Sequence, residues 1–256
     1  MPVASVDGRS LHYLTGPSGL APRRRNIVFV HGAGGSGGVW QRQRLDLDRG
    51  VNTICLDLPS HGLSPGPGFD TIAAYADCLL RFVATIGLDR AILAGHSMGG
   101  AVVLEAALKK PEFVEALILV ASGARLRVNP ALFRAWEEEA NTAPHRMVES
   151  CYGPDSPERL RAWSLEQFVG VRPEILLDDW RACDRFDRMG QLEQIRQPAL
   201  VVCGNLDRLT PPKFSQYLAD HLPHATLTLI DKAGHMVMLE KAGEVNRAML
   251  RFLAFL

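Results

Sequence analysis

Gly95-His96-Ser97-Met98-Gly99 is where the chain concentrates its chemistry. A serine hydroxyl is a weak nucleophile until a base takes its proton and an acid orients that base. Held in a sharp turn between a strand and a helix, a serine projects its hydroxyl above the sheet, and side chains two places either side would collide there. Ser97 has glycines at both places, the apolar run Ala91–Ala94 before it and the helical pattern Met98–Lys109 after it. Gly100 and Ala101 let that helix pack close to the strand. The Met98 N–H points to the same spot as the serine, reinforced by the helix N-terminus. Five-residue matches of this kind also arise by chance in loops, and the strand-to-helix setting is what separates Ser97 from them.

The base and the acid should follow later strands. Gly204-Asn205-Leu206-Asp207-Arg208 comes after the run Leu200–Cys203 and offers Asp207; Ala233-Gly234-His235 comes after Leu227–Ile230 and offers His235. Asp207 also admits the reading of a loop Asx-turn, and His235 that of a capping or solvent histidine. Three strand ends fitting one plan favour the catalytic reading. Asp178, Asp179, Asp184 and Asp220 fall in helical segments and read as facing solvent or cap, and Asp231 stands too close to His235 on the same loop. His31-Gly32-Ala33-Gly34-Gly35, after Ile27–Val30, can offer a second N–H, that of Ala33, to an oxyanion. A phosphate loop would need Gly-Lys-Ser/Thr or G-x-G-x-x-G at a helix start, and neither is present.

These loops need a sheet to carry them. Short, continuously apolar runs recur at Ile27–Val30, Thr53–Leu56, Ala91–Ala94, Leu117–Val120, Leu200–Cys203 and Leu227–Ile230. Continuous rather than alternating hydrophobicity marks strands covered on both faces, as in a parallel sheet. Helical patterns at Ile72–Ile86, Met98–Lys109, Lys213–Leu222 and Glu244–Phe255 fall between or after them, so the fold expected is α/β, a doubly wound, mostly parallel sheet. Val3–Val6 and Ser10–Tyr13 flank Asp7-Gly8 as a hairpin. Residues 123–188 hold no strand candidate and read as a helical cap inserted into a core of 1–122 and 189–256. Asn129-Pro130 and Ser156-Pro157 each resemble an N-cap before a first-turn proline.

Composition bounds the rest. The chain has 256 residues, 47% apolar and 22% charged, with 28 basic side chains balancing 28 acidic ones. That balance argues against a nucleic-acid partner, and Arg23-Arg24-Arg25 reads as a solvated loop. Three of five cysteines (Cys55, Cys78, Cys203) lie in apolar runs, which suits buried free thiols in a reducing, cytoplasmic setting. Met1–Ser10 carries no apolar signal segment, and no run is long enough to span a membrane. No cofactor is expected, and no His, Cys or carboxylate cluster has metal-ligand spacing. A homodimer is compatible with all of this.

The motif set, His31–Gly35 with Trp40, Asp57-Leu58-Pro59-Ser60-His61-Gly62-Leu63-Ser64, Gly95–Gly100, Gly204–Asp207 and Gly234-His235, resembles the α/β-hydrolase fold superfamily over nearly the whole chain. The resemblance implies Ser97 as nucleophile, Asp207 as acid, His235 as base, and Ala33 and Met98 as oxyanion-hole donors. Ser60 departs from a glycine more usual there, on a loop not expected to react. His31, His61 and His96 read as loop-holding histidines, Asp57 as a turn cap, and Trp136, Trp163 and Trp180 as cap core more than pocket lining. The expected function is a serine hydrolase acting on carboxylic esters of small, largely uncharged molecules. Carbon–carbon hydrolase, thioesterase and small-molecule receptor are the alternatives. Haloalkane dehalogenases and epoxide hydrolases resemble the fold but place aspartate where this chain has Ser97.

Overall fold

Six parallel strands form where the apolar runs stand, each reaching slightly beyond its run in the computed structural model, which describes residues 2–139 and 141–256. In chain order the elements begin with β1 (Val3–Val6), β2 (Arg9–Thr15), β3 (Asn26–Val30), α1 (Gln41–Asp46) and β4 (Asn52–Leu56). Next come α2 (Ile72–Thr85), β5 (Ala91–His96), α3 (Met98–Lys109) and β6 (Val114–Val120). Four helices intervene before the next strand: α4 (Pro130–Glu138), α5 (Ala143–Cys151), α6 (Glu158–Gly170) and α7 (Pro173–Arg185). The chain closes with β7 (Ala199–Gly204), α8 (Pro212–His221), β8 (Ala225–Ile230), α9 (Val237–Glu240) and α10 (Ala242–Leu253).

The eight strands make one sheet in the order β1-β2-β4-β3-β5-β6-β7-β8. The β1–β2 hairpin joins antiparallel to β4, and β3 to β8 run parallel. Along β3 successive side chains alternate between two cores: Val28 and Val30 with Leu79 of α2, Val102 of α3 and Leu218 of α8 on one face, Ile27 and Phe29 with Val245 and Met249 of α10 on the other. The sheet is therefore the mostly parallel, doubly wound α/β sheet expected, covered on both faces. From β3 the chain steps to β4 on one side and then to β5 on the other. That reversal opens a crevice at the carboxyl ends of β3 and β5, the general place for a ligand in such sheets.

The segment between β6 and β7 closes on itself at its ends. Arg125 bridges Asp187, and the Arg188 N–H donates to the Ala124 carbonyl at 2.8 Å. Asn129 caps α4 as expected, its side chain accepting from Ala131 N–H at 2.9 Å with Pro130 in the first turn. Ser156 does not cap α6: its hydroxyl donates instead to the Glu240 carboxylate of α9, a partner invisible to local pattern. The arginine run is not simply solvated either. Arg24 donates to the Asp48 carbonyl, and Arg25 bonds both Leu253 O and Glu115, each at 2.9 Å. All five cysteines are buried free thiols. Among the described residues no helix is long and apolar enough to cross a membrane.

Candidate active site

Ser97 sits at the join of β5 and α3 with φ 53° and ψ −116°, outside the regions L-residues ordinarily occupy. The strain is sustained by its surroundings. Its N–H donates to Val120 O at 3.0 Å and its carbonyl accepts from the Ser122 hydroxyl at 2.7 Å. A Cβ on Gly95 would strike the Gly99 carbonyl, and one on Gly99 would strike the carbonyls of Val30 and His31. The glycines are thus what lets the elbow lie against β3.

The loops after β7 and β8 bring Asp207 and His235 together. His235 Nδ1 donates to Asp207 Oδ2 at 2.9 Å, with both side chains buried. Asp207 makes the Asx-turn with one oxygen and meets the histidine with the other: Oδ1 accepts the N–H groups of Leu209 and Thr210, and Oδ2 accepts from His235. Burial pushes the Asp207 carboxyl up, but the His235 ring and the Thr210 bonds outweigh it and hold it below the usual carboxylate value. Thr210 was not singled out from sequence. Its hydroxyl lies 2.8 Å from Asp207 Oδ2, 2.9 Å from Ala121 O and 3.2 Å from His235 Nδ1. The spacing Asp207-x-x-Thr210 was the available signal.

With Nδ1 occupied, His235 has Nε2 left for the cavity, whose wall it shares with Ser97. No hydrogen bond joins the Ser97 hydroxyl to His235; such bonds are often long before substrate binds. Gly35 N–H closes a turn onto Gly32 O at 3.0 Å, with Gly34 at φ +63°, the positive value a type II turn needs in its third place. Ala33 lines the cavity beside Ser97. The Met98 side chain points away into the core, so only its amide is available to the site. Among the described residues neither the Ala33 nor the Met98 N–H has a protein acceptor.

Three histidines hold these loops. His31 Nδ1 donates to Gly32 O at 2.8 Å and Nε2 accepts from Leu58 N–H at 3.1 Å, a neutral tautomer. Burial, with the neighbouring His61 charge, pushes His31 down to about 3. His61 has acceptors on both sides, Pro59 O at 3.0 Å and Asp179 Oδ2 at 2.8 Å, so its ring satisfies both only as the imidazolium. Burial alone would lower its pKa, but Asp179 and the Pro59 carbonyl outweigh it and raise it. Asp57 caps the turn as expected, accepting from Leu63 N–H at 3.0 Å, and also from Gly37 N–H at 2.7 Å. Asp179 overturns its sequence reading: it faces neither solvent nor the cap interior but is wholly buried against the core loops. Helical pattern placed Asp179 in a helix without showing that its side chain meets the core loops.

The cavity encloses about 390 Å³, at the small end of ligand sites. Leu132, Trp163, Phe168, Leu176 and Trp180 wall it from the helical segment, Arg127 and Arg208 also line it, and among the described residues no carboxylate does. Trp163 and Trp180 are therefore lining, while Trp136 stands behind Trp180 with ring centroids 5.7 Å apart.

Residues 27–248 match the alpha/beta hydrolase family. The chain is 30% identical over 247 residues to a provisionally assigned carbamate hydrolase, RutD, of Rhizobium rhizogenes, covering 91% of this chain and 94% of that one. A thermophilic esterase of solved structure is 32% identical with a TM-score of 0.87, over 99% of this chain and 96% of that chain. The enol-lactonase from Burkholderia xenovorans LB400 superposes with a TM-score of 0.91 at 25% identity, over 99% and 100% of the two chains.

Proposed function

The chain belongs to the alpha/beta hydrolase family and is a hydrolase, and from that premise we propose that it cleaves carboxylic esters of small, largely uncharged molecules through an acyl-enzyme on Ser97. The observation that carries this reading is the shared cavity wall of Ser97 and His235, with Asp207 holding the far side of the imidazole at 2.9 Å.

Ser97 Oγ attacks the ester carbonyl while His235 Nε2 takes its proton. Asp207 keeps the tautomer that leaves Nε2 bare and stabilises the imidazolium. The unpartnered Ala33 and Met98 amides receive the oxyanion, each worth about 2.7–4 kcal/mol of barrier in comparable sites. Collapse of the tetrahedral intermediate expels the alkoxide, which His235 protonates. Water, deprotonated by the same ring, then releases the acid and restores Ser97.

Residues 123–188 act as a cap over a core of 1–122 and 189–256. The pairing of Arg125 with Asp187 and of Ala124 with Arg188 supports that division. The small volume and the aromatic and aliphatic side chains on the helical side favour a short acyl group, with Arg127 and Arg208 the charged groups on the wall. The names of the relatives add lactones and carbamates to the substrates worth offering, since both present an acyl carbon to the same nucleophile.

Turnover of p-nitrophenyl esters from acetate to decanoate, beside lactones, carbamates, thioesters and ring-cleavage products, tests the reading. Wild type is expected to favour short esters, Ser97→Ala to lose at least about 10³-fold, and a fluorophosphonate to label Ser97. Equal rates in both proteins would overturn it, and a folded protein that binds esters without turnover would be a receptor.

A further inference from the structure

We propose that Asp179, on the helical segment and 82 positions from the proposed nucleophile in sequence, is a positioning residue for the oxyanion hole: its carboxylate takes the Gly34 N–H and so holds the 32–35 turn in the form that presents the Ala33 N–H to the developing oxyanion. The inference rests on the acyl-enzyme reading of Ser97.

Asp179 has no exposed surface and accepts three hydrogen bonds from three different parts of the core. Oδ2 takes the Gly34 N–H at 2.8 Å and His61 Nε2 at 2.8 Å; Oδ1 takes the Tyr75 hydroxyl at 2.7 Å. The Gly34 bond is the informative one. Gly32 to Gly35 form a turn with Ala33 and Gly34 in its middle, and the two common forms of such a turn differ by a flip of the central peptide. That peptide carries the Gly34 N–H. A carboxylate accepting from it selects one form and disfavours the flip, and so fixes the turn whose preceding peptide carries the Ala33 N–H, which has no protein acceptor among the described residues.

The fit is close as well as polar. A Cβ on Gly34 would come within 2.9 Å of Leu176 Cδ1, one turn before Asp179 on α7, so the helix rests directly on the turn. A buried carboxylate–imidazolium pair repays little of its desolvation as stability. Its use therefore lies in where it puts its partners. The consequence is that α7, a wall of the substrate cavity, and the oxyanion loop move as one piece.

The test compares wild type, Asp179→Asn and His61→Gln with p-nitrophenyl butyrate as substrate. A trifluoromethyl ketone of the same chain length mimics the tetrahedral oxyanion, and p-nitrophenyl butyl ether mimics the uncleaved ester. Asp179→Asn is expected to lower kcat about 10- to 100-fold with KM within about twofold. The ketone should weaken by the same factor and the ether hardly at all. His61→Gln, which leaves Asp179 its charge but removes the ring that fixes Oδ2, should show a smaller loss with the same signature, and decides alone if Asp179→Asn does not fold. Folded variants with unchanged kcat and ketone affinity would overturn the inference, as would equal weakening of ketone and ether. A wild type that neither turns over the ester nor binds the ketone would overturn the acyl-enzyme reading itself, a failure visible before any variant is made.

Discussion

His96 Nε2 donates to the backbone carbonyl of His235 at 3.1 Å, so the residue before the proposed nucleophile holds the main chain of the proposed base. The two rings stand 4.7 Å apart. Burial, together with the His235 charge, pushes His96 down to about 3, so the ring stays neutral. Neutrality matters here, because a second cation would oppose the imidazolium that the proposed mechanism forms on His235. The His235 and Met236 amides in turn donate to Cys151 O of α5 at 2.8 and 3.1 Å. The β5–α3 turn is thus joined to the His235 loop through the His96 ring, and that loop to α5 through backbone amides.

His96→Phe keeps a ring beside Trp40 and removes the donor to His235. A lost hydrogen bond of about 1–2 kcal/mol at a base that must be aligned corresponds to kcat/KM falling roughly 5- to 30-fold. Steady-state kinetics with p-nitrophenyl butyrate check it. A fall below twofold would mean that the Cys151 contacts position His235 by themselves.

Asp207→Asn preserves shape and removes the charge that selects the His235 tautomer, so kcat is expected to fall about 10⁴-fold. Thr210→Val is the finer probe. Thr210 helps hold the Asp207 carboxyl below its usual value, so its loss should cost about tenfold at neutral pH. It should also shift acid inactivation toward higher pH, because the carboxylate then protonates sooner as pH falls. Rate–pH profiles of wild type and Thr210→Val make the comparison.

Trp163→Ala should widen the cavity at a side chain that lines it and is only half-buried. The preferred acyl chain is expected to lengthen by two or more carbons on the order of one side-chain volume, with kcat on acetate little changed. A chain-length series measures it, and an unchanged optimum would place the acyl group elsewhere.

The sheet and its three loops were legible because each rests on local sequence: an apolar run sets a strand, and glycines after it set a turn. Ser97, Asp207 and His235 needed only that. Asp179 and Glu240 were not legible, since each is defined by what it meets across the fold. Asp179 collects donors from residues 34, 61 and 75, and Glu240 accepts from Gly153 and Ser156 of the cap and from Gly234 beside His235. Helical pattern placed α4 through Asn129 but gave no sign that Ser156 would turn to α9. Tertiary partners, not propensity, decided those cases.

The same buried histidines set the dependence of stability on pH. His31 and His96 are both lowered from 6.5 to about 3. Between those values the unfolded chain binds two protons that the native state refuses, so stability rises with pH across the window and is lost as pH falls from 6.5. Each group contributes a slope of about 1.4 kcal/mol per pH unit once well below 6.5. The two together remove about 9 kcal/mol by pH 3, a large share of a total stability of about 5–15 kcal/mol, so stability is expected to fall steeply on the acid side. His61 has the opposite sign: its pKa is raised, so its contribution is full below 6.5 and is lost as pH climbs through its native value. Urea unfolding from pH 4 to 9 should therefore give a maximum near neutrality, falling steeply on the acid side and more gently on the alkaline side. His96→Gln is expected to halve the acid slope and leave the alkaline one intact, and His61→Gln to flatten the alkaline side. An acid slope unchanged in His96→Gln would assign acid unfolding to the carboxylates instead.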